Sequence, residues 1–124
     1  MSLEENKAIV RKMFEAINKK DLAVINEFFD EFVALDVVDH TSQGEVQGME
    51  HWKQASARVL HEYPDLRETI EDIIAEGDRV WVHVKITGTD SSGKKMDATA
   101  LAILRIVNGK FVELDSSKSL GGRL

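Results

Sequence analysis

The stretch from Ile70 to Ser117 constrains the fold more than any other part of the chain. It reads as consecutive strands with tight turns between them, and nothing before Leu66 has that pattern. Arg79 to Gly88 alternates cleanly, with Val80, Val82, Val84 and Ile86 on one face and Trp81, His83, Lys85 and Thr87 on the other. Glu76-Gly77-Asp78, Asp90-Ser91-Ser92-Gly93 and Asn108-Gly109 supply turn chemistry at the junctions. Strands are therefore predicted over Leu66 to Ala75, Arg79 to Gly88, Lys95 to Ile106 and Phe111 to Ser117, joined as an antiparallel meander. Along the third of these, Ala98, Ala100 and Ala102 recur at period two, so one face is stripped to methyl groups. Such a face either lines a pocket or lets a helix pack close.

Helices come before the sheet. Ser2-Leu3-Glu4-Glu5 is a capping box, and Ile9, Val10, Met13, Phe14 and Ile17 follow it at helical spacing. Asn18-Lys19-Lys20 ends that helix, and Asp21 caps a second with Leu22, Ile25, Phe28, Phe29, Phe32 and Val33 on one side. Asp36 to Thr41 is short and mixed, with a small strand at Val37-Val38, and Gln43 to Gly48 reads as a polar turn. A third helix starts at Met49, carries Trp52, Ala55, Ser56, Val59, Leu60 and Tyr63 on its stripe, and is closed by Pro64. Three helices followed by an antiparallel sheet make an α+β fold, expected as a single domain over residues 1–124.

Bulk properties exclude several function classes. A net charge of -6 argues against a nucleic-acid partner, which needs a basic stripe. Zero cysteines remove disulfides, thiolate nucleophiles and cysteine-based zinc sites together. No apolar run approaches the ~20 residues of a membrane-spanning helix. The first residues lack the apolar core of a signal peptide, so a cytoplasmic location is expected.

The last hairpin decides which side chains share a face. A two-residue loop at Asn108-Gly109 sets Ala102 opposite Asp115. A three-residue loop that includes Val107 sets it opposite Leu114, and Ser116 joins its face. The hydrophobic pattern favours the second arrangement, with Val112 and Leu114 inward and Glu113 and Asp115 outward, because burying two unpartnered carboxylates is costly. The outward face keeps Leu101, Ile103 and Trp81. A sheet apolar on both faces must be covered twice, so a homodimer packed through the sheet is expected.

Asp36, Asp39 and His40 form the densest polar cluster. Asp39 and His40 face opposite ways in a strand, so only one points inward. His40 is the candidate catalytic base, since its ordinary pKa suits proton transfer. The competing reading is a structural hydrogen bond to a neighbouring strand. A metal site would need His51 or another carboxylate to converge there, and no spacing supports one, so no metal is expected. His83 reads as an outer-face residue, and His61 as a partner for a helix C-terminus. Phe14 and Trp52 lie on apolar helical stripes and, with Ala100, Ala102, Leu114 and Ser116, are the expected pocket-lining residues.

The order of these pieces resembles one family. Glu5-Asn6-Lys7-Ala8, Phe14-Glu15-Ala16, Val38-Asp39-His40, Gly48-Met49-Glu50, Tyr63-Pro64-Asp65-Leu66 and Glu71 through Val80 resemble SnoaL-like proteins of the nuclear transport factor 2-like superfamily, which also holds ketosteroid isomerase. So does Arg105-Ile106 running through Gly109-Lys110 to Glu113. The resemblance implies a cone-shaped α+β barrel, in which the three helices pack in a curved, mainly antiparallel sheet around an open pocket. It implies a cyclase or isomerase that acts on a small hydrophobic carbonyl compound with no cofactor, and a position near the pocket for Phe14. Cyclising members carry a histidine on the penultimate strand and an acid–base aspartate on the last. By the matched frame those positions are Ala102 and Ser116, and neither side chain can move a proton near neutral pH. The alternative implied is a non-catalytic small-molecule-binding or dimerisation domain that has lost the pair.

Overall fold

The computed structural model describes residues 2–41 and 44–120. Helix α1 spans Leu3–Asn18 and α2 spans Leu22–Phe32. Strands β1 (Val33–Thr41) and β2 (Gly44–Gln47) follow, then α3 (Met49–Glu62). The meander is β3 (Arg67–Glu76), β4 (Arg79–Thr89), β5 (Lys95–Val107) and β6 (Lys110–Leu120). The six strands form one unclosed sheet in the order β2-β1-β6-β5-β4-β3.

The helices start where their caps demand. The Glu5 N–H donates to Ser2 Oγ at 3.0 Å while the Ser2 N–H donates to Glu5 Oε1 at 3.1 Å, closing the capping box. Lys20 takes a left-handed φ of 59° between α1 and α2, and Asp21 Oδ1 then accepts from the Ala23 N–H at 2.9 Å. The far end of α1 is fixed to the sheet by one side chain. Asn18 Nδ2 donates to the Glu68 carbonyl at 2.6 Å, and Asn18 Oδ1 accepts from the Glu68 N–H at 2.8 Å. Helix and edge strand are thus held by a reciprocal pair that satisfies both backbone groups of one residue.

The first strands depart from the sequence reading. Val33 belongs to β1 rather than to α2, and β1 runs nine residues instead of the short piece at Val37-Val38. Gly44–Gln47, expected within a polar turn, is a strand paired antiparallel with β1, while Ser42 and Gln43 lie outside the described residues. Backbone accounting explains the pairing, since β1 has β6 on one side and would leave its other N–H and C=O groups unpaired. β1 runs parallel to β6, which makes the sheet mixed, though mainly antiparallel.

The last hairpin also differs. Val107 pairs with Lys110, so the loop has two residues, Asn108 and Gly109, both at positive φ (51° and 77°). This is the backbone of a type I′ turn, for which Asn-Gly is the favoured pair. A bulge then follows: Ile106 pairs with Phe111, but Arg105 pairs with Glu113. Val112 is the extra residue, and Phe111 takes the inward position expected for Val112. Beyond the bulge, Ala102 lies opposite Ser116 rather than Leu114, and Leu104 opposite Leu114. Leu114 and Ser116 share the face of the alanines, as the hydrophobic pattern requires, while Glu113 and Asp115 take the other.

The core sits between the concave face of the sheet and the helices. Val80, Val82, Val84 and Ile86 are buried, as are Ile9, Val10, Met13 and Phe14 of α1. Phe111 is 0 % exposed and meets Phe28 and Trp52, each at a centroid distance of 6.2 Å. Phe111→Ala is expected to cost ~3–5 kcal/mol of stability, read as a lower midpoint in denaturant titration.

Candidate functional site: a cavity with a carboxylate–imidazole pair

A cavity of about 690 Å³ opens between the helices and the inner face of the sheet. β5 supplies Ala100, Ala102 and Leu104 to its wall, and β6 supplies Leu114 and Ser116. Helix α1 contributes Phe14 and α3 contributes Trp52. Ala98 is not on the wall and is 1 % exposed. The alanine row therefore divides: two methyl groups leave space, and the third lies in the packed core. An alanine side chain is several methylenes shorter than the Leu or Ile usual on a core strand, and that missing volume becomes cavity where no helix fills it.

The turn after α3 packs against β4. Tyr63 packs closely against Gly88 of β4, where an added Cβ would stand 3.0 Å from the Tyr63 Cβ. Asp65 Oδ1 accepts from the Thr89 N–H at 2.7 Å, and this hydrogen bond holds the Asp65 carboxyl below its ordinary range. Partial burial raises the Tyr63 phenol, and the neighbouring Glu62 carboxylate adds to the shift.

Two ionisable side chains meet on the wall. His51, in the first turns of α3, and Asp39, on β1, both line the cavity, and His51 Nε2 stands 3.0 Å from Asp39 Oδ2. Their side chains are 27 % and 15 % exposed. An ionised carboxylate only accepts, so Nε2 donates in this pair, and in a neutral imidazole the lone pair is then on Nδ1. The arrangement is a histidine oriented by a carboxylate, which can accept a proton from a bound molecule and return it.

His40 is on the opposite side of β1. Its Nε2 is 2.6 Å from Glu113 Oε2 and its Nδ1 is 3.4 Å from Glu45 Oε1, and it does not line the cavity. Alternation places one of Asp39 and His40 inward, and it is Asp39. β1 lies parallel to β6 with Asp39 beside Leu114 and His40 beside Asp115, so Asp39 follows the inward Leu114. Val37, two residues earlier, is buried and gives the same parity in the sequence. His51 carries a weaker signal: it sits beside the apolar stripe of α3, twelve residues beyond Asp39, where spacing alone does not show that the two converge. Among the described residues, no cluster of three or more His, Asp or Glu side chains is arranged to hold a metal ion.

Comparison with known proteins places the fold. The SnoaL-like polyketide cyclase family matches residues 7–116. AclR from Streptomyces galilaeus, provisionally assigned as a hydroxylase, is 27% identical with a TM-score of 0.82, over 95% of this chain and 77% of its own. A provisionally assigned SnoaL-like polyketide cyclase of Jannaschia sp. CCS1 superposes with a TM-score of 0.85 at 19% identity, over 94% of this chain and 86% of its own. IdmH from Streptomyces antibioticus, provisionally assigned as a polyketide cyclase, gives a TM-score of 0.78 at 23% identity, over 92% of this chain and 91% of its own. No curated protein matches the chain.

His40 makes its own prediction. The hydrogen bond to Glu113 raises its pKa above the ordinary value, with Glu45 and Asp115 adding to the shift and desolvation opposing it. A raised histidine pKa contributes stability that is fully present below about 6.5 and is lost as pH rises through the folded-state value. His40→Gln is expected to flatten the pH dependence of the thermal midpoint above that point. An NMR titration of the His40 ring with an inflection at or below the ordinary value would contradict this.

Proposed function

Because the chain belongs to the SnoaL-like polyketide cyclase family, we propose that it acts as a cofactor-independent cyclase or isomerase on a small hydrophobic carbonyl compound, with His51 as the acid–base group and Asp39 as its positioning partner. The observation that carries this reading is the 3.0 Å contact between His51 and Asp39 on the wall of a largely apolar cavity. The chemistry balances with no oxidant or added reactant. A C–H bond next to a carbonyl breaks, its proton passes to His51 Nδ1, and the electron pair becomes an enolate. In an isomerisation the imidazolium returns the proton to another carbon. In a cyclisation the enolate carbon attacks a second carbonyl of the same molecule, and the proton goes to the new alkoxide. Asp39 holds the ring and stabilises the imidazolium formed between the two steps. The apolar wall excludes water and strengthens that pairing. Residues 1–124 are read as one domain built around this cavity.

His51→Ala is expected to lower turnover of a hydrophobic diketone substrate by ~10²–10⁴-fold. Asp39→Asn should lower kcat with little change in KM, and His40→Ala should leave turnover intact. Unchanged turnover in His51→Ala would remove the assignment.

A second reading has its own observation. Ala102 and Ser116 face each other across β5 and β6 and both line the cavity, at the two positions where the resemblance puts the cyclases' catalytic pair. This supports a binding domain that retains the pocket without turnover. Binding of an aromatic ketone with no product, in wild type and His51→Ala alike, would favour it.

The assembly proposed is a homodimer through the outer face of the sheet. Ile74, Trp81 and Ile103 form one cross-strand row, and Leu101 sits in the next beside His83. Ile74 and Leu101 are 63% and 46% exposed. Burial of this row by a second copy accounts for its apolar character. Light scattering is expected to give twice the mass of one chain, and Leu101→Lys to lower it to that of one.

A further inference from the structure

Proton removal next to a carbonyl pushes negative charge onto the carbonyl oxygen. In an apolar cavity that oxygen needs a hydrogen-bond donor aimed at it. The base pair does not supply one. Asp39 only accepts while ionised, and His51 Nε2 is committed to it. The donor must come from elsewhere on the wall.

Ser56 is placed for this. It lines the cavity from α3, five residues beyond His51, about 1.4 turns and a rise of about 7.5 Å along the helix. Ala55 lies between the two on the helix surface, and its short side chain leaves that gap open. One carbonyl group suits the gap. The base needs the reacting carbon within about 3–3.5 Å. The carbonyl oxygen lies about 2.4 Å from that carbon, and a hydroxyl reaches it over about 2.8 Å. Laid end to end, these lengths exceed the rise between the two residues.

Ser56 Oγ has no hydrogen-bond partner among the described residues, although a helical serine often bonds the carbonyl four residues earlier. Trp52 Nε1 is unpartnered too, but it is buried within the wall rather than open to the cavity. Tyr63 is twelve residues beyond His51, about 18 Å along the axis, too far for the same oxygen. Ser116 is the rival hydroxyl, on the facing strand β6.

We propose that the Ser56 hydroxyl donates to the carbonyl oxygen of the bound compound and so places the neighbouring C–H at His51 Nδ1. The inference rests on the reading of the cavity as a carbonyl-compound site and adds the group that receives the oxygen. His51 takes the proton and the electron pair of the C–H bond moves onto oxygen. Ser56 keeps its own proton and donates a hydrogen bond that strengthens as the charge builds.

Acetylnaphthalene labelled at its carbonyl carbon tests this by NMR on the full chain in heavy water. The carbonyl signal of the bound ketone reads the hydrogen bond. Loss of the methyl proton signal reads exchange of the acidic protons with solvent. Ser56→Ala is expected to keep the circular dichroism spectrum, since alanine favours a helix. It should move the bound carbonyl signal upfield and slow the catalysed exchange by about 10²-fold. Ser56→Thr, which keeps the hydroxyl, should restore both, and His51→Ala should stop the catalysed exchange. An unchanged carbonyl signal and exchange rate in Ser56→Ala, or the upfield move in Ser116→Ala instead, would overturn the role of Ser56, while exchange that depends on His51 would leave the carbonyl-compound reading standing. Exchange of the bound ketone no faster than in buffer would overturn the acid–base reading and, with it, the placement of the C–H at His51. A ketone that does not bind would overturn both.

Discussion

One extra residue in the last strand governs the geometry of the site. The Asn108-Gly109 turn pairs Val107 with Lys110, and a regular ladder from that start would place Asp115 opposite Ala102. Glu113 and Asp115 would then face the apolar interior. The bulge at Val112 shifts the ladder by one, so Ser116 meets Ala102 and Leu114 meets Leu104. β1 inherits the result because it is paired in parallel with β6. With Leu114 inward, Asp39 is inward and reaches His51; with Glu113 outward, His40 finds its partner outside. A change of strand register by a single residue would turn Asp39 away from His51 and carry His40 and Glu113 to the interior.

Much of the fold was legible because it is locally coded. The Ser2–Glu5 capping box, the alternation from Val80 to Ile86 and the Asn108-Gly109 turn each act within a few residues, and each appears in the structure where the chain predicts it. The parity of Leu114 and Ser116 was legible too, because the cost of burying Glu113 and Asp115 holds whatever the loop length. The loop length itself was not, since turn and bulge are interchangeable ways to satisfy one hydrophobic pattern. The β1–β6 pairing joins segments more than seventy residues apart and leaves no local trace. Asp39–His51 was hidden for a different reason: only twelve residues separate the two, but the contact is made by a strand and a helix whose approach depends on the whole sheet.

The cavity is a consequence of side-chain volume rather than of backbone shape. Ala100 and Ala102 face the helices where a typical strand would carry larger residues, and Trp52 and Phe14 bound the space from the other side. The same strand is packed solid at Ala98 and Ile106. Packed core and cavity wall are therefore separated along β5. The aromatic cluster around Phe111 holds the sheet to α2 and α3, which leaves the alanine segment free to bound open space.

The unclosed sheet ends at β3, and that strand is dense in charge. Arg67, Glu68, Glu71, Asp72 and Glu76 occur within its ten residues, and most of them are exposed. A terminal strand offers unpaired backbone groups to any passing chain, including another copy of this one. Growth of the sheet by antiparallel addition of a second β3 over its full length would set Glu71 of each chain against Asp72 of the other. The surplus of acid along this margin thus acts as insulation: it lets the protein carry an apolar outer face for association without exposing an edge from which fibrils could grow.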